Sequence, residues 1–378
     1  MSRLRVGIDA VEAVGAGGIS TYARNLIEQL IRADSQDCFY LFSYLHEIGR
    51  TQFPSLKGAR NWHEVRTHLL RTLLPVSRLG DINDASVRIA ARLHRLDLVH
   101  FTNPLNMTAV ASKTVVTVHD LAPLHNPMWI KEGSRRLFEQ KLPAIVAADA
   151  IIAVSWYTKD DVVRRLGVDP AKITVVYEGA SADFFPDTGS AAVAALVGAG
   201  RYVLCVGEIQ PRKNIPTLIA AFGAIANSFP DVQLVIVGRA RNAFERQRIV
   251  SSINDSGLAN RVSMLGYVDT DMLRKLYSGA WCVVYPSLLE GFGLPVLEAL
   301  ACGAPVVVAD SSSLPEVAGN AGMVFDPHSV TALAEVLRRV LGDAALRSRL
   351  AAEALPQAAR FSWQQAAHET LAVYQRIV

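Results

Sequence analysis

At 378 residues the chain is longer than one ordinary hydrophobic core sustains, so two domains are expected. Its 51% apolar and 19% charged residues exclude a disordered chain, and a net charge of only +3 gives no ground for a nucleic-acid partner. Cys38, Cys205, Cys282 and Cys302 sit singly in apolar segments, which suits buried free thiols in a reducing compartment better than disulfides or zinc.

Leu4 to Ile8 reads as a strand directly after Met1-Ser2-Arg3, with no signal peptide. No apolar run reaches the ~18 residues needed to cross a bilayer. A cytoplasmic protein is expected, soluble or peripheral on the inner face of the membrane. After Asp9 comes a loop with Gly15, Gly17 and Gly18, then a helix placing Ile19, Tyr22, Ala23, Leu26, Ile27 and Leu30 on one face. The opening is Rossmann-like, but the spacing is not Gly-x-Gly-x-x-Gly in either half, which disfavours a nicotinamide dehydrogenase.

Residues 47–96 show no clean strand–helix alternation and are rich in arginine. Apolar residues from Val65 to Leu74 fall at helical spacing. This stretch is either a helix packed on its own domain with solvated arginines, or a basic amphipathic patch on an anionic membrane surface, with Arg66, Arg71 and Arg78 as contacts. Leu98–Phe101 and Thr114–Val118 are the next core strands. The second ends in His119-Asp120-Leu121-Ala122-Pro123, and a strand's carboxyl end is where ligands bind in such sheets. Helix 133–148, strand 150–154, Ser155 ahead of helix 156–166, and strand 173–177 follow. Glu178-Gly179-Ala180 closes the domain, with a linker from Asp183 to Gly198.

The second half repeats the pattern: strand 202–207, helix 216–229, strand 234–238, helix 242–256, strand 262–265 and helix 270–278. Trp281 to Tyr285 is a buried strand and Glu290-Gly291-Phe292-Gly293 a tight turn. Pro295 starts a helix through Ala301, and Val306–Val308 is the next strand. Glu316 near a short helix, strand 323–325 and helix 329–341 follow, and Phe361-Ser362-Trp363 opens a last helix. Strands separated by helices, twice over, mean an α/β protein of two doubly wound parallel-sheet domains. They are placed at residues 1–185 and 186–361.

A glycine turn running into a helix start gives bare N–H groups and a positive helix end, which suits an anion. Glu290 before that helix and Glu298 one turn inside it accept hydrogen bonds only, which suits hydroxyl-rich partners such as a hexose or ribose. Arg212 and Lys213, in the exit loop Glu208-Ile209-Gln210-Pro211-Arg212-Lys213-Asn214, supply charge for phosphate. No Asp-x-Asp stands at a strand end to hold a divalent ion, so no metal and no other cofactor are expected. The alternative readings are a solvated loop charge for Glu290, a surface helix residue for Glu298, a solvated basic pair and a structural histidine.

Glu290-Gly291-Phe292-Gly293-Leu294-Pro295 through Glu298 resembles the signature of the retaining glycosyltransferases of family 4. The resemblance covers nearly the whole chain and is weakest between residues 45 and 96. It implies a GT-B fold, two Rossmann-like domains facing across a cleft, with helix 362–378 crossing back to the first. It further implies a nucleotide-sugar donor and a saccharide or lipid-linked acceptor. On that pattern His119 lies beside the sugar, and Glu290 holds sugar hydroxyls with the backbone of Phe292, Gly293 and Leu294. Glu298 holds the ribose, and Gly266, Tyr267 and Val268 contact the base. Gly17 and Gly18 face donor phosphate or acceptor. The family pattern often has an arginine after the strand glycine, where this chain has Glu208, whose role the sequence leaves open. His119 to Leu124 and Pro211 to Asn214 look most like mannosyltransferases of bacterial surface-polysaccharide synthesis, which points to GDP-mannose. A GT-B epimerase or phosphorylase, or a non-catalytic nucleotide-sugar binding protein, are the competing readings.

Overall fold

The computed structural model describes residues 3–15, 17–44, 53, 56, 58–68, 76–187, 189–198 and 200–378. The chain divides into two compact units, Met1–Glu178 with Ser362–Val378, and Gly179–Phe361.

The first unit holds a seven-stranded sheet: β1 (Arg5–Asp9), β2 (Cys38–Tyr44), β3 (Trp62–His68), β4 (Leu98–Phe101), β5 (Lys113–Val118), β6 (Ala150–Ala153) and β7 (Ile173–Val175). All pairs are parallel, in the order β3-β2-β1-β4-β5-β6-β7. Its helices are α1 (Gly18–Ala33), α2 (Val76–Leu93), α3 (Ala122–His125), α4 (Glu132–Ala147) and α5 (Trp156–Leu166). On one face Tyr40, Phe42, Val99, Phe101, Val116 and Val118 meet Val87, Ala90 and Ala91 of α2 and Phe138 and Ile145 of α4. The apolar stripe of α1, with Leu26, Ile27 and Leu30 fully buried, stabilises the unit by about 1.5–3 kcal/mol per side chain.

The second unit repeats the plan with β8 (Arg201–Val206), β9 (Val232–Val237), β10 (Val262–Gly266), β11 (Cys282–Tyr285), β12 (Val306–Ala309) and β13 (Gly322–Phe325). Their order is β10-β9-β8-β11-β12-β13, again all parallel. Its helices are α6 (Ser190–Val197), α7 (Ile215–Gly223), α8 (Ala243–Asp255), α9 (Thr270–Gly279), α10 (Leu294–Ala301), α11 (Leu314–Ala318), α12 (Val330–Gly342) and α13 (Ala344–Ala358). Residues 306–308 are at most 1% exposed, as expected of strands covered on both faces. Residues 183–187 belong to this unit, where Arg274 donates to the Asp183 carbonyl and pairs with Asp187 at 3.1 Å. The final helix, α14 (Trp363–Ile377), packs against α1 in the first unit.

In each sheet the strand order reverses once, between β1 and β4 and between β8 and β11. At such a reversal the connections leave in opposite directions and open a crevice at the carboxyl ends, so chemistry is sought there.

The segment expected to be helical from Val65 to Leu74 is, as far as His68, the edge strand β3. Val65 lies opposite Phe42 and Arg66 opposite Ser43 in parallel register. Trp62, Val65 and Thr67 favour a pleated surface, and that preference with β2 beside it overrides the helical spacing. Residues 69–75, Arg71 among them, lie outside the described residues, and Arg78 stands in α2. The helix expected over 216–229 stops at Gly223 and gives way to a single 3-10 turn, Ala226–Ser228. All four cysteines are buried and unpaired.

Candidate active site

At the reversal in the second sheet, β8 runs through Gly207 into a 3-10 turn, Pro211–Lys213. Asn214, at φ 54, closes this turn, and its side-chain amide donates to the Pro327 carbonyl at 2.9 Å. The turn aims two cations at the loop after β11. Arg212 Nη1 donates to Glu290 Oε2 at 2.7 Å and to the Leu289 carbonyl, and Lys213 Nζ donates to Glu290 Oε1 at 2.7 Å. Lys213 also donates to Tyr285 Oη at 2.8 Å and stands 4.7 Å from that ring's centroid. The three charged side chains are only 15%, 13% and 9% exposed. Burial alone would raise the Glu290 carboxyl, but Arg212 and Lys213 hold it at about 2. Burial lowers Lys213, and Glu290 offsets part of that.

The Glu290 backbone is equally constrained. Its N–H donates to Ser312 Oγ at 2.9 Å, and Ser313 Oγ donates to the carbonyls of Glu290 and Phe292 at 3.0 and 2.8 Å. Gly293 adopts φ +108, which a side chain would disfavour, and turns the chain into α10 with Pro295 in its first turn. The Phe292 and Leu294 side chains are buried, so the turn can offer a ligand only backbone there.

Glu298, one turn into α10, is half-buried and accepts from Tyr277 Oη at 3.2 Å. Burial raises its carboxyl to about 7, the tyrosine bond notwithstanding. Neighbouring exit loops bring up the rest. Gly238 donates to the Gly266 carbonyl at 2.7 Å, and a Cβ on Gly238 would lie 1.9 Å from the Gly207 oxygen, so only glycine allows the three loops to converge. Tyr267 is 67% exposed and lies against the Arg239 guanidinium, 5.0 Å from its ring centroid, while Val268 is half-buried.

In the first unit His119 ends β5. Its Nε2–H donates to the Thr102 carbonyl at 3.0 Å and its Nδ1 faces Glu178 Oε1 at 3.4 Å. Burial would lower the imidazole, but Glu178 and the Thr102 carbonyl bring it above its ordinary value. Thr158 Oγ1 donates to the His119 carbonyl at 3.1 Å, and the Tyr22 ring meets the imidazole edge-on at 4.7 Å. Behind it runs a buried chain of hydrogen bonds: Tyr22 Oη to Thr117 Oγ1 at 2.7 Å, Thr117 Oγ1 to His100 Nε2 at 2.8 Å, and His100 Nδ1 to Tyr374 Oη at 2.6 Å. Burial pushes His100 down to about 3, so it is neutral.

Gly17 and Gly18 are exposed at the start of α1. The loop before them is held by Arg24, which donates to the carbonyls of Ala13 and Gly15 at 3.0 and 3.1 Å. At this sheet's reversal Asp9, 1% exposed, accepts from Asn106 at 2.9 Å, and burial raises it to about 7. Glu12 accepts from Asn103 and Asn106 at 3.0 and 3.3 Å.

The second unit thus brings Arg212, Lys213 and Glu290 into direct contact. Glu298 stands on α10, and Gly266, Tyr267 and Val268 on a converging loop. His119, Gly17 and Gly18 belong to the first unit. Sequence reading passed over Glu178, Tyr277, Tyr285 and the Asp9–Asn106 pair. The available signal was position: Asp9 ends β1, Tyr285 ends β11, and Glu178 follows β7 at the edge where ligands bind. Tyr277 gave none, since an aromatic late in a helix reads as core. Among the described residues no three His, Cys, Asp or Glu side chains converge as a metal site requires, and no helix is long and apolar enough to cross a membrane.

Residues 16–184 match the family described as Glycosyltransferase Family 4, and residues 192–355 match Glycosyl transferases group 1. The O-antigen chain mannosyltransferase B of Escherichia coli is 27% identical over 365 residues, 94% of this chain and 95% of that one. A serotype-specific mannosyltransferase WbdA of Escherichia coli is 30% identical over 274 residues, 70% of this chain but only 34% of WbdA. Among solved structures, the sucrose-phosphate synthase of Thermosynechococcus elongatus shares the fold with a TM-score of 0.79 at 23% identity, over 99% of both chains.

Proposed function

From the premise that this chain is a glycosyltransferase, with a family 4 domain followed by a group 1 domain, we propose a metal-independent retaining hexosyltransferase. The proposed donor is GDP-mannose, and the acceptor a saccharide or lipid-linked saccharide in surface-polysaccharide synthesis. The observation that carries this reading is the buried Glu290 carboxylate bridging Arg212 and Lys213 at the carboxyl edge of the second sheet. A carboxylate that accepts from sugar hydroxyls, beside two cations that donate to phosphate, fits the two halves of a nucleotide sugar. The relatives' printed names support mannose.

In the proposed reaction the bond from the anomeric carbon to the β-phosphate oxygen breaks, and the acceptor oxygen bonds to that carbon on the same face. The departing phosphate takes the acceptor proton, so no protein base is assigned. Arg212 and Lys213 stabilise the charge that develops on the phosphate, the contribution that commonly dominates such catalysis. Glu290 orients the sugar with the backbone at Phe292, Gly293 and Leu294, and also fixes both cations before the donor arrives. Glu298 accepts from the ribose, and Gly266, Tyr267 and Val268 take the base. His119 serves the sugar and acceptor, its ring held by Thr102 and Glu178. Gly17 and Gly18 contribute backbone to the donor phosphate or acceptor.

Peripheral contact with an anionic membrane belongs to the same proposal. It is supported by α2, which exposes Ile89 and Leu93 at 57% and 75% beside exposed Arg88 and Arg92. The deciding experiment is a thermal-shift and turnover panel of GDP- and UDP-hexoses with mannose-terminated acceptors. Transfer of mannose with the α-configuration kept supports the proposal. Phosphorolysis, or epimerised donor without transfer, rejects it.

A further inference from the structure

We propose that Arg241 supplies a third cation to the donor diphosphate, and that Glu208 holds its guanidinium at the site until the donor arrives; this rests on the nucleotide-sugar reading above. Arg212, Lys213 and Glu290 together carry one net positive charge, since the carboxylate answers one of the two cations. A diphosphate ester carries a charge on each phosphate, and its terminal phosphate approaches about −2 when released. The trio therefore falls short of its ligand, and falls further short as the bond breaks.

Arg241 is placed to make up the difference. The loops leaving β8 and β9 are zipped together: Ile209 N–H donates to the Arg239 carbonyl at 2.9 Å, and Arg241 N–H donates to the Ile209 carbonyl at 3.0 Å. The close approach of Gly238 to Gly207 keeps them together. Arg241 is thereby anchored to the loop that carries Arg212 and Lys213. Its Nη2 donates to Glu208 Oε2 at 3.2 Å. Glu208 follows Gly207, and a Cβ on Gly207 would lie 3.7 Å from Lys213 Nζ. The Arg241 and Glu208 side chains are 30% and 47% exposed, and so open a pair adds little to stability and parts at small cost. Two phosphates offer the guanidinium fork more than one solvated carboxylate does. Arg241 then turns from Glu208 to the diphosphate.

The test is calorimetry with GDP, paired with ligand-observed NMR of guanosine, on the full chain. Arg241→Ala is expected to weaken GDP about tenfold and leave guanosine unchanged. Glu208→Gln, which removes the charge that holds Arg241, is expected to tighten GDP about threefold. Adding Glu208→Arg to Arg241→Ala is expected to restore GDP to within about threefold of wild type, because a guanidinium at position 208 reaches the same space. Unchanged GDP affinity in Arg241→Ala, equal loss of guanosine, or absence of rescue would overturn this assignment while leaving the trio's role standing. Wild-type protein that binds neither GDP nor UDP would overturn the donor site itself.

Discussion

Replacing Glu290 with glutamine separates the two duties assigned to it. The carboxylate is 9% exposed and accepts from Arg212 and Lys213 at 2.7 Å each. Its hold at about 2, against the ordinary 4.5, corresponds to about 3 kcal/mol of native-state stability at neutral pH. Because the folded value lies below the unfolded one, that stability is fully present above about pH 4.5 and is lost as pH falls toward 2. Glu290→Gln should therefore lower Tm by about 6–12 °C at pH 7, and its stability should converge on wild type in acid. Ligand binding should move the other way. A carboxylate ~6 Å from a phosphate charge opposes it by about 1.5–3 kcal/mol at an effective dielectric of ~20–40. Loosening of the two cations offsets part of this gain, so GDP should bind about three- to tenfold more tightly. Turnover should fall at least about a hundredfold, since the hydrogen bonds to the sugar are lost where they count. Calorimetry, scanning calorimetry against pH and initial rates read the three effects. GDP affinity weakened in step with turnover would refute the reasoning, because it would make Glu290 only a scaffold for the cations.

Glu298→Ala should weaken GDP by about 1.5–3 kcal/mol if the carboxylate accepts from ribose; unchanged affinity would return it to the helix surface. With its carboxyl raised to about 7, the fold loses stability as pH rises from about 4.5 to 7 and does not regain it above, yet the ionised form is the better hydroxyl acceptor. Wild-type GDP affinity should thus rise from pH 6 to 8 and stay flat in Glu298→Gln, and parallel profiles would count against this. Turnover should survive excess EDTA; loss that magnesium or manganese restores would move the charge stabilisation from Arg212 and Lys213 to a metal. Leu93→Glu should reduce sedimentation with vesicles containing phosphatidylglycerol at low salt without changing GDP affinity, and equal sedimentation of both proteins would remove α2 from the membrane contact.

The alternation of strands and helices was legible because parallel strands covered on both faces are nearly continuous apolar runs. Tyr202–Val206 and Val306–Ala309 could hardly be anything else. Leu294–Ala301 was legible for another reason, since Gly293 and Pro295 mark its start chemically. Val65 to His68 misled because a short stretch can match two periodicities, and only its partner strand decides between them. The individual candidate residues were nameable from sequence, but their pairing was not. Arg212 and Lys213 lie far from Glu290 along the chain, and nothing in either segment says that one carboxylate bridges both cations. That bridge widens the expectation for Glu290, whose removal is predicted to bear on the diphosphate as well as the sugar. Glu178 was hidden because its partner, His119, comes from a strand two places away in the same sheet.

The helix that ends the chain also governs when the beginning can finish folding. Tyr374 closes the hydrogen-bond chain through His100 and Thr117 to Tyr22, and Trp363 lies 5.9 Å from the Tyr22 ring. During synthesis, segments normally settle in the order they leave the ribosome. Here the first unit must wait, with His100 Nδ1 lacking its Tyr374 partner and the outer side of α1 uncovered, while all of the second unit is made. A stop codon just before Trp363 would leave the later unit whole and strand the earlier one. Damage at the carboxyl terminus would therefore be felt at His119, more than two hundred residues upstream.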